Sequence, residues 1–463
     1  MRNRSITVVA LIATAAFILA TSAVASDVKL PKMNRKTLDN GLEVIALEHH
    51  EQPVVSIRLV IRGGQSFDTA DKAGLANFTA SLLRQGTTTR DANQISEEID
   101  FVGGSLAAGA GLDETNANCE VLSKHLAVGF DLLSDMVINP TFADDEVERI
   151  RNQTISAIMR SKDDPNSIAA EMFNKQIFGD HPYALPAMGT EESMSMLTRD
   201  DVVAFHQKYY VPNNSFLIVV GDIKPDEVFE MASVKFGPWQ KGTVPEMNFP
   251  APPTISGYKI VLIDKPDATQ SNIMFGHLGI NRSNPDIFAV RVMNYIVGGG
   301  GFVSRLMKDI RAEQGLTYDI NSQFSYQRDI GDFAVTTFTG NENTASAINS
   351  TIELLKKVGA EGLTDEEIDD CHSFYSGYFP LVFETPAQIA QQIQTAELYG
   401  LGVEYLTSYV SKINGVDVAA ANKAAKDYID HDNMIFVVVG KAADIKAGLE
   451  ELGPVTMYKI SEL

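Results

Sequence analysis

The chain has 463 residues, with 38 Lys and Arg against 60 Asp and Glu and a formal net charge of −22. That balance excludes a basic face for nucleic acid or anionic membrane, and two cysteines, Cys119 and Cys371, are too few for a disulfide framework. The length exceeds one ordinary core, so two or more domains are expected.

Arg2 and Arg4, an apolar run from Ile6 to Ala20 and the small-residue triplet Ala23-Val24-Ala25 make an export signal, residues 1–25. Cleavage is expected near Ala25, with a periplasmic destination, leaving 36 bases against 60 acids and a net charge of −24. No later run approaches about 20 apolar residues, so no membrane insertion is expected. Next, "GLEVIALEHH" and "VVSIRLVIRGG" run apolar or alternate as strands do, with a turn at Gln52-Pro53. Helical periodicity follows over 72–84, 92–102, 124–138, 144–161, 166–178 and 198–210, before "SFLIVVG", which has the pattern of a buried strand. Strands early and late with helices between predict an α+β fold, a sheet layered with helices.

The pattern then repeats. Asn214 and Gly221 recur as Asn433 and Gly440, an offset of 219, while "FADDEV" at Phe142, Pro165 and Gly179 recur at an offset of 221 as "LTDEEI" at Leu363, Pro386 and Gly400. Three blocks in one order at nearly one offset imply a duplicated domain. Pro238, Pro245, Pro250, Pro252 and Pro253 form a stiff linker, which divides the chain into residues 26–245 and 246–463.

"AGLANFTASLLRQGT", from Ala73, resembles the "AGLAHFLEHMLFKGT" pattern of the pitrilysin/insulinase zinc peptidases, which include mitochondrial processing peptidase. "HPYALPAMGTEE", "YYVPNNSFLIVVGDI" and "RAEQGLTY" resemble further phrases of that family, in order over nearly the whole chain. The resemblance implies two related α+β halves forming a clamshell, paired with a second clamshell around a chamber. The family's H-x-x-E-H motif supplies two imidazole ligands to zinc and a carboxylate general base. Here those positions are Asn77, Ala80 and Ser81. The third ligand is a Glu on the helix before an Asp-Pro turn, here Asp164-Pro165, and no acid lies between Arg149 and Lys162. Asn and Ser are poor zinc ligands and Ala cannot accept a proton, so no metal is expected in this chain.

No replacement site stands out, since none of the eight histidines lies three or four residues from another. His49 and His50 are adjacent on an expected strand, where their rings would diverge, and His181 is expected to make a structural hydrogen bond. Gly298 to Gly301 lack the Gly-Lys-Ser/Thr of a phosphate loop and read as mobile backbone or a helix-ending turn. In "VSRLMKDIRAEQGLTYDI" a helix is expected to about Glu313, then a Gln314-Gly315 turn and a strand from Leu316. By residues alone, Arg311 could serve the helix dipole and Tyr318 the core. The resemblance implies instead that both reach a substrate held at a partner's zinc. Two functions follow as expectations. One is a non-catalytic, substrate-binding subunit of a heterodimeric zinc metallopeptidase acting on peptides, with zinc and H-x-x-E-H in a homologous partner. The other is a pure scaffold or peptide-binding module.

Overall fold

Val44, Ile45, Ala46 and Leu47 are all fully buried although they are consecutive. Successive strand residues point to opposite faces, so the sheet holding them is covered on both sides. The computed structural model describes residues 30–244 and 246–462; residues 1–29, where the expected export signal falls, Pro245 and Leu463 lie outside the described residues. Two six-stranded sheets with helical layers result. The first contains β1 (Met33–Thr37), β2 (Glu43–Glu48), β3 (Val54–Arg62), β4 (Ser105–Ala110), β5 (Glu114–Leu122) and β6 (Ser215–Gly221). Their order is β1-β2-β6-β3-β5-β4.

The second sheet contains β7 (Tyr258–Asp264), β8 (Gln270–Leu278), β9 (Ile320–Phe324), β10 (Asp332–Gly340), β11 (Met434–Gly440) and β12 (Val455–Lys459), in the order β12-β7-β11-β8-β10-β9. The repeated segments are β6 and β11, each third in its sheet and buried at every position. Each pairs parallel with an early strand of its half, β2 or β7, and antiparallel with the next, β3 or β8. The expected α+β duplication is thus the architecture observed.

Six helices position the features that matter for function: α1 (Leu75–Leu82), α2 (Asp144–Ser161), α3 (Pro165–Phe178), α4 (Ile287–Asn294), α5 (Asp365–Tyr378) and α6 (Pro386–Leu398). Local chemistry sets their ends. Asp144, Asp145 and Glu146 occupy the first turn of α2, where the helix dipole favours anions. Asp164 accepts from the N–H groups of Asn166 and Ser167 and Pro165 opens α3, while Thr385 and Gln388 form a capping box before α6.

The duplicated helices α3 and α6 do not stay at home. Ile168, Phe173 and Ile177 of α3 pack on the Val261, Ile435 and Val437 face of the second sheet. Reciprocally, Ile389 and Ile393 of α6 join Ile45, Leu47, Ile218 and Val220 of the first. Each such side chain contributes about 1.5–3 kcal/mol by leaving water. Polar contacts follow the same exchange. Arg58 of β3 donates to Gln391 and, at 2.8 Å, to Gln394. The fully buried Asp113 accepts from Tyr183 Oη at 2.5 Å in one half and from Tyr399 Oη at 3.1 Å and the Arg328 N–H at 2.9 Å in the other.

Cys119 and Cys371 are buried and unbridged, as their placement in different halves predicts. Burial pushes both thiols up to about 12, which leaves them inert. His49 and His50 follow β2 rather than lying within it, a correction to the strand expectation. His50 instead pairs with Asp222 at 2.8 Å.

Candidate functional site

Helix α1 is held at its start by Asp68, which accepts from the N–H groups of Gly74 at 3.0 Å and Ala76 at 2.9 Å. Burial pushes this carboxyl up to about 7, against the opposing pull of those two hydrogen bonds. Gly74 adopts φ +88°, and a Cβ there would stand 2.6 Å from the Gly189 nitrogen, so the entry to α1 has room only for glycine. Leu75, Phe78, Leu82 and Leu83 then turn inward as one buried face.

Asn77, Ala80 and Ser81 line a cavity of about 430 Å³ between α1, β4 and α2. Ser81 Oγ donates back to the Asn77 carbonyl at 2.8 Å. Across the cavity, Ile150, Gln153, Thr154 and Ala157 of α2 form one face, and Arg84 and Gln85 close the end of α1. No carboxylate, imidazole or thiol lines this space. Carboxamides, hydroxyls and a guanidinium do not fit a zinc ion, whose sites use Cys, His and carboxylate donors. More widely, no group of three or more His, Cys, Asp and Glu among the described residues could hold a metal.

Sequence reasoning located α1 and the helix opposite it, which has no acid between Arg149 and Lys162, but missed Gln153, Thr154 and Arg84. The spacing of 150, 153, 154 and 157 is the i, i+3, i+4, i+7 stripe of a single helix face, and that signal would have identified the first two. His181 acts as expected: its ring accepts from the Tyr183 N–H at 3.1 Å and meets Asp329 at 3.1 Å.

The second half has a counterpart cavity of about 370 Å³ between α4, β9 and α5, walled by Arg291, Asn294, Tyr295, Gln323, Tyr326 and Tyr375. Arg291 donates to Tyr409 Oη at 2.9 Å and lies 4.8 Å from the Tyr326 ring. Beyond it the chain makes two π-helical turns, Tyr295–Gly299 and Met307–Glu313, the second where an ordinary helix to Glu313 was expected. At Gly298 a Cβ would stand 2.3 Å from Ser322 Oγ, so this glycine permits close approach to β9.

Arg311 lies in the second π-helical turn, its guanidinium 4.9 Å from the Phe302 ring and 5.3 Å from the Tyr318 ring. Tyr318 is 74% exposed and Phe302 71% exposed, so neither is a core residue. The strand expected from Leu316 begins at Ile320, which leaves Tyr318 on a loop.

The family model for insulinase (peptidase family M16) matches residues 44–191, and that for the peptidase M16 inactive domain matches residues 196–373. An uncharacterized zinc protease of Mycobacterium leprae (strain TN) is 30% identical over 394 residues, covering 83% of this chain and 87% of that protein. A Helicobacter pylori (strain ATCC 700392 / 26695) protein described as a non-peptidase homolog is 25% identical over 405 residues, covering 86% and 91%. A crystal structure of a peptidase M16 inactive domain from Pseudomonas fluorescens superposes with a TM-score of 0.83 at 27% identity, over 88% of this chain and 98% of that one. With two matched segments in order on two sheets of one topology, the chain belongs to the insulinase family of peptidases, family M16.

Proposed function

We propose that this chain is the non-catalytic, substrate-binding subunit of an exported zinc metallopeptidase that acts on peptides in the periplasm. Its partner is a homologous chain that carries H-x-x-E-H and holds the zinc. The observation that carries the reading is the half-buried Arg311 beside the exposed Tyr318, adjacent in space and outside the core, in a chain whose own cavity has no metal donors. A guanidinium can hold a peptide carbonyl, and a phenol can donate to the oxyanion of a tetrahedral intermediate. Arg311 and Tyr318 perform those two roles in the partner's site.

Steady-state kinetics on the mixed complex test this. Tyr318→Phe lowers turnover by about 10–1000-fold, because a hydrogen bond to an oxyanion matters little in the ground state. Arg311→Ala lowers turnover and also weakens substrate binding, since a carbonyl contact exists before reaction. A sizing experiment confirms that each variant still assembles. An intact dimer with unaltered kinetics in both variants leaves the chain as a scaffold.

A further inference from the structure

The cavity between α1, β4 and α2 holds a half-buried arginine with no partner of any kind among the described residues. Arg84 lines it with its Nε buried and without an acceptor, and no hydrogen bond, ion pair or ring contact engages its guanidinium among the described residues. Other partly buried arginines are engaged: Arg90 pairs with Glu98, Asp131 and Asp135, Arg305 with Glu367, and Arg35 with Glu43 and Glu397, while Arg58 meets the amides of Gln391 and Gln394, and Arg62 and Arg282 lie over aromatic rings. The carboxamides of Asn77 and Gln153, which border the same space, likewise have no hydrogen-bond partner among the described residues. In a chain with 60 acids against 38 bases, the lining contains no acid at all.

We propose that this cavity binds a carboxylate monoanion, carried either by the C-terminus of a peptide or by a small free acid. A guanidinium offers two parallel N–H donors that match the two oxygens of a carboxylate. One cation and no anion give a single positive charge, which suits a monoanion better than a phosphate dianion. Asn77 and Gln153 add neutral N–H donors, and Phe78, Ile150, Met188 and Met194 give an apolar wall for the carbon skeleton beside the carboxylate. The volume of about 430 Å³ falls in the range of ordinary ligand sites. The position where the family places a dication thus becomes, in this chain, a site of opposite preference. The inference does not depend on a partner subunit, because every residue it uses belongs to this chain.

Isothermal titration of the full chain with three probes tests it: acetyl-trialanine with a free C-terminus, the same peptide as its C-terminal amide, and propionate. The free acid binds at least about tenfold more tightly than the amide, as loss of a charged hydrogen-bonded pair predicts. Propionate competing as strongly as the peptide acid assigns the site to small acids; peptide acid alone assigns it to chain ends. Arg84→Gln removes the preference for the acid, and Arg84→Lys retains part of it. Ala108→Leu narrows the cavity without altering its charge and abolishes binding of the acid, which keeps the test open if Arg84→Gln fails to fold. Equal affinity for acid and amide overturns the proposal, as does a preference for acid that survives Arg84→Gln.

Discussion

The two halves place equivalent strands in equivalent order and then diverge at the edge of the sheet and at the site. The first sheet is closed on one side by β1, antiparallel to β2 and donated from the N-terminal side; the second is closed by β12, parallel to β7 and donated from the C-terminal end. The first half lines its cavity with carboxamides, hydroxyls and one free arginine. The second lines its own with tyrosines around a tied arginine and presents Phe302, Arg311 and Tyr318 outward. The difference separates two kinds of residue on one frame. Leu75, Phe78 and Leu82 hold α1 against the sheet and permit no polar substitute, whereas Asn77 and Ser81 touch the cavity and bear little of the packing. Chemistry can therefore be removed from one half and expressed in the other without disturbing the strands.

The largest expected effect breaks that contrast by giving the first half the donors it lacks. Asn77→His, Ala80→Glu and Ser81→His together yield neither retained zinc nor peptide hydrolysis, because the cavity face of α2 still contributes no acid. Adding Gln153→Glu, which puts a carboxylate on the cavity face of α2, produces about one retained zinc per chain by elemental analysis after dialysis. Efficient hydrolysis by the triple variant alone would contradict the placement of the third ligand.

Next comes the exchange of helices, which makes the halves interdependent. Phe173→Ala in α3 removes a fully buried ring from the second sheet and costs about 3–5 kcal/mol; Ile393→Ala in α6 costs about 2–5 kcal/mol at the first. Denaturant unfolding followed by probes in each half should show one shared transition displaced in both variants. Separate midpoints would mean that the halves fold independently.

A pH-dependent effect concerns the capped start of α1; at α4 the N-cap Asp286 makes no side-chain cap hydrogen bond. The Asp68 carboxyl, at about 7 when folded against 3.8 as its ordinary value, keeps its proton in the native state where the unfolded chain has lost it. Native protein then binds more protons than unfolded protein, so this residue's contribution is present at low pH and is lost as pH rises through about 7. Relative to Asp68→Asn, which cannot titrate, wild-type stability should fall by on the order of 4 kcal/mol between about pH 4 and about pH 8. A pH-independent difference between the two proteins in denaturant titrations would exclude the effect. Smallest of all, Arg311→Ala and Tyr318→Phe should each change stability by less than about 0.5 kcal/mol, since both lie outside the core. A larger loss in a melting experiment would assign the pair a structural role.

Much of this frame was legible because buried strands and offsets are local signals. "SFLIVVG" and "MIFVVVG" are so apolar that only a strand covered on both faces accommodates them, and their spacing marked the duplication. The exchange of α3 and α6 was not legible, since an apolar helix face specifies that a sheet is needed and not which one. Nor was the start of β9. The Phe338 carbonyl, next along β10 from the last ladder pair, accepts from Thr317 Oγ1 at 2.6 Å, so a side chain takes the place of the next backbone partner and the loop peels away. In the site, α1 was legible as a helix with its chemistry missing. Arg84 was not, because its significance lies in the absence of any acid around it in three dimensions.

The crossed helices also govern how the chain can emerge from a ribosome. Helix α3 is complete at Phe178, but the strand β11 that it covers is not finished until Gly440, 262 residues later. At about 5–20 residues per second, the nascent chain carries Ile168, Phe173 and Ile177 uncovered for roughly ten to fifty seconds. The first sheet meanwhile waits for α6 with its Ile45, Leu47, Ile218 and Val220 face open. Neither half can mature on its own, and at high concentration a neighbouring copy can supply the missing helix first, which makes domain-swapped dimers the characteristic misassembly of this fold.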